Sequence, residues 1–164
     1  MRGIVSDVRA LVDGVIAVWR RTNPTLEAPV SPASINAFER DHRVRLPVVL
    51  RALYLRADGC EWDENATQFL PLGEIKPLVE VVQFSELQLS EFPRARDYFV
   101  FVDYLISSHY FAVALTDDAN EGEVLAIVNA RMKAFVAPTL EQFLHDYTQD
   151  SLAAVLFPDV ESST

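Results

Sequence analysis

The chain has 164 residues, half of them hydrophobic, which is enough for one domain with a sizeable core. Its net charge is −10, and residues 60–164 carry 18 acidic but only five basic side chains, so this part repels nucleic acid and favours basic partners, unless the charge serves solubility alone. Because the single cysteine cannot form an internal disulfide, and no apolar run reaches the length of a membrane span, we expect a cytoplasmic protein that does not bind membranes.

The first predicted element is an amphipathic helix over residues 4–21. Its apolar side chains recur at steps of three and four residues and therefore lie on one face. That face must be covered, either by the rest of the domain or by a second copy of the chain. We favour packing within one chain, because the proline-containing connector at residues 22–32 is long enough to let the helix fold back.

Two shorter helices follow. Ser31 can cap the first, and Pro32 then fits its first turn. The second helix is predicted to begin at Leu46-Pro47 and to end at Asp58-Gly59, because glycine accepts the left-handed backbone that often ends a helix.

The remaining pattern is dominated by strands. A polar loop at residues 61–67 leads into a short strand at 68–70, and residues 75–89 are helical in part. Four runs rich in aromatic and β-branched residues come next, joined by links too short for crossover helices, which predicts an antiparallel meander. These runs cover residues 98–105, 109–115, 123–128 and 133–137.

Thr139 is predicted to cap a closing helix, with Gln142 completing a capping box. A last short helix is predicted at residues 152–157. The element order is typical of an α+β fold: a twisted antiparallel sheet packed with N-terminal and C-terminal helices. We expect one core in which eight apolar side chains are buried together: Phe38, Leu46, Leu53, Phe101, Tyr110, Val113, Ile127 and Phe143.

Common catalytic and metal-binding patterns are absent from the sequence. The three histidines are far apart, and no glycine-rich phosphate loop or nucleophile motif occurs. Residues 117–122 resemble a calcium loop faintly, but Ala119 and Val128 would stand at ligand positions. Cys60 is interpreted as a small half-buried residue. We therefore predict no enzyme, no cofactor and no metal, with an unrecognised pocket at the sheet as the enzymatic alternative.

Several short segments follow one another from the second predicted helix to the closing helix: Phe38-Glu39, Leu46-Pro47, Asp58-Gly59, Phe101 to Ser108, Tyr110 to Leu115, Gly122 to Val124, and Ala137 to Leu144 with Tyr147 and Asp150. In this order they resemble the SUKH superfamily (Smi/Knr type) over roughly residues 31–150. Two departures from the family pattern are Asp58, where asparagine is usual, and Val48-Val49, where polar residues are usual. The resemblance divides the chain into a helical extension (1–22), a SUKH-like domain (31–150) and a short helix with a tail (151–164).

The resemblance implies a non-catalytic domain that binds another protein. Many bacterial members look like immunity proteins that neutralise a cognate toxin, whereas the eukaryotic branch looks like adaptors for signalling proteins. We expect an immunity protein, acting as a monomer or homodimer, against a basic toxin such as a nuclease, which an acidic inhibitor complements. The alternatives are a regulatory or scaffold adaptor and the unrecognised enzyme.

The predicted partner-binding surface consists of two acidic loops, with Trp62 as its anchor and carboxylates as its rim. The alternative is that Trp62 is buried in the core and the acids only solubilise turns. The candidate residues are Glu61, Trp62, Asp63 and Glu64 in the first loop and Asp117, Asp118, Glu121 and Glu123 in the second.

Overall fold

The computed structural model describes residues 7–63, 66–117, 122–128 and 131–149, with the backbone alone for residues 131–135. The predicted helix at residues 152–157 lies outside these ranges. Within them the chain forms an antiparallel sheet with helices on both faces, and the predicted α+β class is confirmed.

Helix α1 (Val8–Thr22) begins where the Asp7 carboxylate accepts hydrogen bonds from the backbone N–H groups of Arg9 and Ala10. Residues 4–6 of the predicted helix lie outside the described part. The apolar face of α1 packs within its own chain, as favoured above, against α3 (Val48–Tyr54) and α6 (Leu140–Thr148). The side chains that it buries are Val12, Val15, Ile16 and Trp19.

Helix α2 (Pro32–His42) has the predicted Ser31 cap, whose hydroxyl accepts from Ser34 N–H at 3.1 Å. Helix α3 ends at Tyr54, four residues earlier than the predicted end at Asp58-Gly59. Gly59 does take the left-handed backbone, with φ +79°, and a Cβ there would collide with the Phe69 carbonyl oxygen. The glycine therefore permits the close approach of strand β1 rather than ending the helix.

The sheet has the strand order β1-β3-β4-β5-β6, and β2 also pairs with β3. Every pairing is antiparallel, so the predicted meander is confirmed for its four long strands. The strands are β1 Thr67–Phe69, β2 Lys76–Pro77, β3 Tyr98–Tyr104, β4 His109–Ala114, β5 Val124–Val128 and β6 Arg131–Ala137.

The segment at residues 75–89 is helical only in short pieces, α4 (Leu78–Val81) and α5 (Glu86–Glu91). A capping box between Ser85 and Gln88 starts α5. In the closing helix α6, the predicted cap is present, since Thr139 Oγ1 accepts from Gln142 N–H at 3.1 Å. The second half of the predicted capping box, a hydrogen bond from Thr139 N–H to the Gln142 side chain, is not among the hydrogen bonds of the described residues at this cap. The Gln142 side-chain amide instead donates to Asp146 at 2.9 Å.

The sheet has a separate apolar core on each face. The larger core lies under α1, α2, α3 and α6, and the smaller one under α4 and the segments on either side of α5, which contribute Phe84 and Phe92. The expectation of a single core is wrong for two residues: Ile127 belongs to the smaller core, and Tyr110 is only partly buried against it. These two residues are partners across β4 and β5 and so point to the same face. The other six are buried in the larger core: Phe38, Leu46, Leu53, Phe101, Val113 and Phe143.

Candidate protein-binding surface

The sheet places the two predicted loops at opposite ends. The loop at residues 61–66 leads into β1, whose first residue pairs with Tyr104, the last residue of β3. The β4–β5 connection leaves the other end, where Ala114 pairs with Tyr98, the first residue of β3. Seven strand residues span about 20 Å. The loops therefore do not form one local patch, and a partner that contacted both would have to extend along the strands.

The first loop is ordered by its own hydrogen bonds. The Asp63 carboxylate accepts from Thr67 N–H at 2.9 Å, and the backbone groups of the same two residues bond at 3.0 Å. Glu61 is exposed, and the Trp62 side chain is 41% exposed. The alternative that Trp62 is buried in the core is therefore wrong. Glu64 lies outside the described residues.

The second loop contributes less free charge than its sequence indicates. The Glu123 carboxylate accepts a hydrogen bond from Tyr98 Oη at 2.6 Å and forms an ion pair with Arg94 at 2.7 Å. Burial, followed by this hydrogen bond, raises the pKa of Tyr98. Asp117 is exposed, and Asp118 and Glu121 lie outside the described residues. Glu123 therefore joins the loop to the helical segment before β3.

A third element lies beside the first loop, at the short link between two of the predicted strands. It is the β3–β4 turn, residues 105–108, held to that loop by a hydrogen bond from Leu105 N–H to the Ala66 carbonyl oxygen at 2.8 Å. Leu105 is 38% exposed and Ile106 is 75% exposed. We call this end of the sheet, comprising residues 61–63, 66 and 105–108, the Trp62 end.

The turn has an unfavourable backbone. Leu105, Ile106 and Ser107 have φ values of +55°, +52° and +63°, a region that favours glycine and asparagine. Each residue with a Cβ costs about 1–2 kcal/mol there, and a β-branched isoleucine is the least suited. The signal in the sequence was therefore the absence of glycine, asparagine, aspartate and proline from a predicted turn that contains isoleucine instead.

Asp103 holds the turn in this conformation. Its side chain is almost fully buried, and its two carboxylate oxygens accept hydrogen bonds from the Ser107 backbone N–H at 2.7 Å and the Ser107 hydroxyl at 2.9 Å. Hydrogen bonds to a charged group are stronger than those between neutral groups. They therefore offset part of the strain in the three left-handed residues.

Two buried groups next to this end have raised pKa values, chiefly because they are buried. Burial, together with the nearby carboxylates of Asp63 and Glu61, raises the pKa of the Cys60 thiol to about 11. Burial and Asp63 also raise the pKa of Tyr104. At neutral pH Cys60 is consequently a thiol and a poor nucleophile, and it is buried more fully than the half-buried position expected for it.

The side chains that could bind a metal ion are scattered over the described ranges. Among residues 7–63, 66–117, 122–128 and 131–149, no three His, Cys, Asp or Glu side chains are grouped so that they could hold a metal ion. A groove of about 530 Å³ lies between α1 and α6, lined by Asp7, Leu11, Gln142 and His145 among others. It lies between two helices, whereas the enzymatic alternative had placed a pocket at the sheet.

These observations define the chain as an α+β domain with an antiparallel sheet covered on both faces. The sequence model of the SMI1 / KNR4 family (SUKH-1) matches residues 29–146, and the chain belongs to this family. The suspected SUKH membership is thus confirmed. Helix α1 lies before the matched region. No curated protein matches the chain, and none of the helices in the described part combines the length and apolar character needed to cross a membrane.

Proposed function

We propose that this chain is a non-catalytic protein-binding domain that acts in the cytoplasm as an immunity protein, holding and neutralising a basic cognate toxin. Membership of the SMI1 / KNR4 family (SUKH-1) supports the class of function. The observation that carries the proposal is the Trp62 end, where apolar side chains stand exposed beside carboxylates. Interfaces commonly have this composition, an aromatic or aliphatic centre with a polar rim.

The overall charge supports a basic partner. A chain of net charge −10 attracts a basic toxin over a distance of about one Debye length, and enzymes that act on nucleic acid are often basic. Such complementarity accelerates association and disfavours acidic partners. A nuclease toxin is the kind of partner that this field suits.

The test is neutralisation in cells. Where a gene next to this one encodes a toxin domain, that domain would be expressed alone and together with this chain, and colony formation would be counted. We expect the chain to restore growth and to form a stoichiometric complex with the purified toxin domain. A neighbouring toxin that stays lethal and unbound would contradict the proposal.

The alternative non-enzymatic function is a regulatory or scaffold adaptor. An adaptor binds its partner without abolishing the partner's activity, so the same complex can be assayed for both. Binding with full residual activity of the partner would favour the adaptor, whereas binding with loss of activity favours immunity. Genes for housekeeping proteins on both sides would also favour the adaptor.

A further inference from the structure

The β3–β4 turn is unfavourable in two independent ways. Its backbone takes the left-handed region at three successive residues that are not glycine, and its tip exposes Ile106 to solvent more fully than any other large hydrophobic side chain in the described ranges. A glycine or asparagine at the tip would relieve both the strain and the exposure. Strain of this kind is concentrated at binding and catalytic sites.

We propose that Leu105 and Ile106 on the β3–β4 turn, together with Trp62, form the docking surface for a basic protein partner. This inference rests on the proposed function and names the surface that performs it. The β4–β5 loop is then outside the centre of the contact, since it leaves the sheet at the opposite end.

The geometry supports one continuous surface. The hydrogen bond from Leu105 N–H to the Ala66 carbonyl oxygen joins the turn to the loop that carries Trp62. The pairing of Thr67 with Tyr104 aligns the two segments at the same end of the sheet. Both segments are held by carboxylates, Asp63 in the loop and Asp103 in the turn, so the surface is preorganised for binding.

Charge complementarity identifies the occupant as a basic protein. Glu61 and Asp63 flank Trp62, and Glu61 forms no ion pair with another described residue. At the other end of the sheet, by contrast, basic residues lie close to the acidic loop. Arg94 forms an ion pair with Glu123, and Arg45 lies beside Thr116, to which its backbone N–H donates a hydrogen bond at 2.6 Å. A second copy of the chain would bring like charges together and is disfavoured.

The experiment is a titration of the purified toxin domain from the neighbouring gene against variants of the full chain. Ile106→Asn and Ile106→Gly both remove the apolar side chain, and each introduces a residue that tolerates the left-handed backbone better than isoleucine does. We expect each to weaken binding at least about 10-fold, and Trp62→Ala at least about 30-fold, chiefly through faster dissociation. Thermal midpoints of the Ile106 variants should be unchanged or higher, which excludes unfolding as the cause.

Leu87→Gln is the matched control, because Leu87 is another apolar side chain, 68% exposed, but lies on α5. It should bind as the wild type does. Association should also slow as salt is raised, since the partner is basic.

The outcomes separate the two proposals. Absence of binding by the wild-type chain would overturn the proposed function and this surface with it. If the wild-type chain binds and the Ile106 and Trp62 variants bind equally tightly, the proposed surface would be overturned and the proposed function would not. A rate of association independent of salt would overturn the basic occupant. A concentration-dependent dimer that Ile106→Asn abolishes, measured by sedimentation, would assign the surface to a second copy.

Discussion

Asp103 shows how one side chain shapes the proposed surface. A buried carboxylate is costly unless its oxygens are hydrogen-bonded, and both oxygens of this one accept hydrogen bonds, from the backbone N–H and the hydroxyl of Ser107. The bonds act four residues along the chain, across the strained turn. Asp103 is therefore a positioning residue for Ile106 and does not itself need to reach a partner.

The first prediction concerns this residue. Asp103→Ala removes both acceptors and leaves the Ser107 groups without them, so we expect the free energy of unfolding to fall by about 2 kcal/mol. Asp103→Asn keeps one oxygen and should cost less. Urea denaturation measures both, with Asp117→Ala as the exposed control. Equal stability of Asp103→Ala and that control would contradict the role of Asp103 in holding the turn.

At the scale of elements, local signals predicted well and long-range ones did not. The caps at Ser31 and Thr139 depend on a side chain and a backbone group three residues apart, and both are present. The predicted end of α3 was too late, because the glycine at position 59 is required by the close approach of the Phe69 carbonyl oxygen from β1 and not by the end of the helix. Lys76-Pro77 was expected within a helical segment, but it pairs with β3, more than twenty residues further on.

The error over the core has the same origin. A sheet covered on one face shows alternating apolar and polar residues, and this sheet is covered on both. Strand β3 is buried at every position, so its sequence does not distinguish the faces. Only the pairing of Tyr110 with Ile127 reveals that they share the smaller core.

The second prediction tests the larger core. The Phe143 ring lies 5.4 Å from that of Phe101 and 4.9 Å from that of Phe111, between centroids, and joins α6 to β3 and β4. Phe143→Ala should cost about 3–5 kcal/mol of unfolding free energy, because it leaves a cavity where these rings meet. Phe84→Ala, at a partly buried position on the smaller core, should cost less. An unchanged melting midpoint for Phe143→Ala would refute this packing.

At the scale of the whole molecule, the role of the acidic loops in binding and the division of the chain into an extension and a domain remain proposals. The sequence predicted two acidic loops as one surface, and the candidate residues Asp117, Asp118 and Glu121 keep that status for the loop at the far end of the sheet. Sequence reasoning could find acidic residues but could not place them, because the direction of each strand decides which turns meet. The division into an extension at 1–22 and a domain at 31–150 likewise awaits a direct test.

The third prediction separates the two ends of the sheet. If the Trp62 end is the contact, Asp117→Lys with Asp118→Lys changes only the long-range field, so it should slow association with the toxin domain modestly and leave dissociation unchanged. Surface plasmon resonance at two salt concentrations measures both rates. Faster dissociation, comparable with that of Trp62→Ala, would move the contact to the β4–β5 loop.

The fourth prediction concerns the extension. Trp19 is almost fully buried, its ring 5.1 Å from Phe69, and the Phe69 ring lies 4.9 Å from Tyr147. Deleting residues 1–22 removes Trp19 and uncovers the Phe69 ring and its surroundings, so we expect a lower melting midpoint and self-association. Light scattering and thermal denaturation measure these effects, and full-length Trp19→Ala should show a smaller part of them. A stable, unchanged monomer would mean that the extension is dispensable.

The packing of α1 on α6 has a consequence for synthesis of the protein. Translation delivers α1 before the other described elements, yet α6, against which it packs, leaves the ribosome last among them. At the usual pace of elongation the interval between them is roughly ten seconds. During that time the nascent chain carries an amphipathic helix with an uncovered tryptophan, a form that chaperones recognise. We therefore expect the native packing of α1 to form only after α6 has left the ribosome.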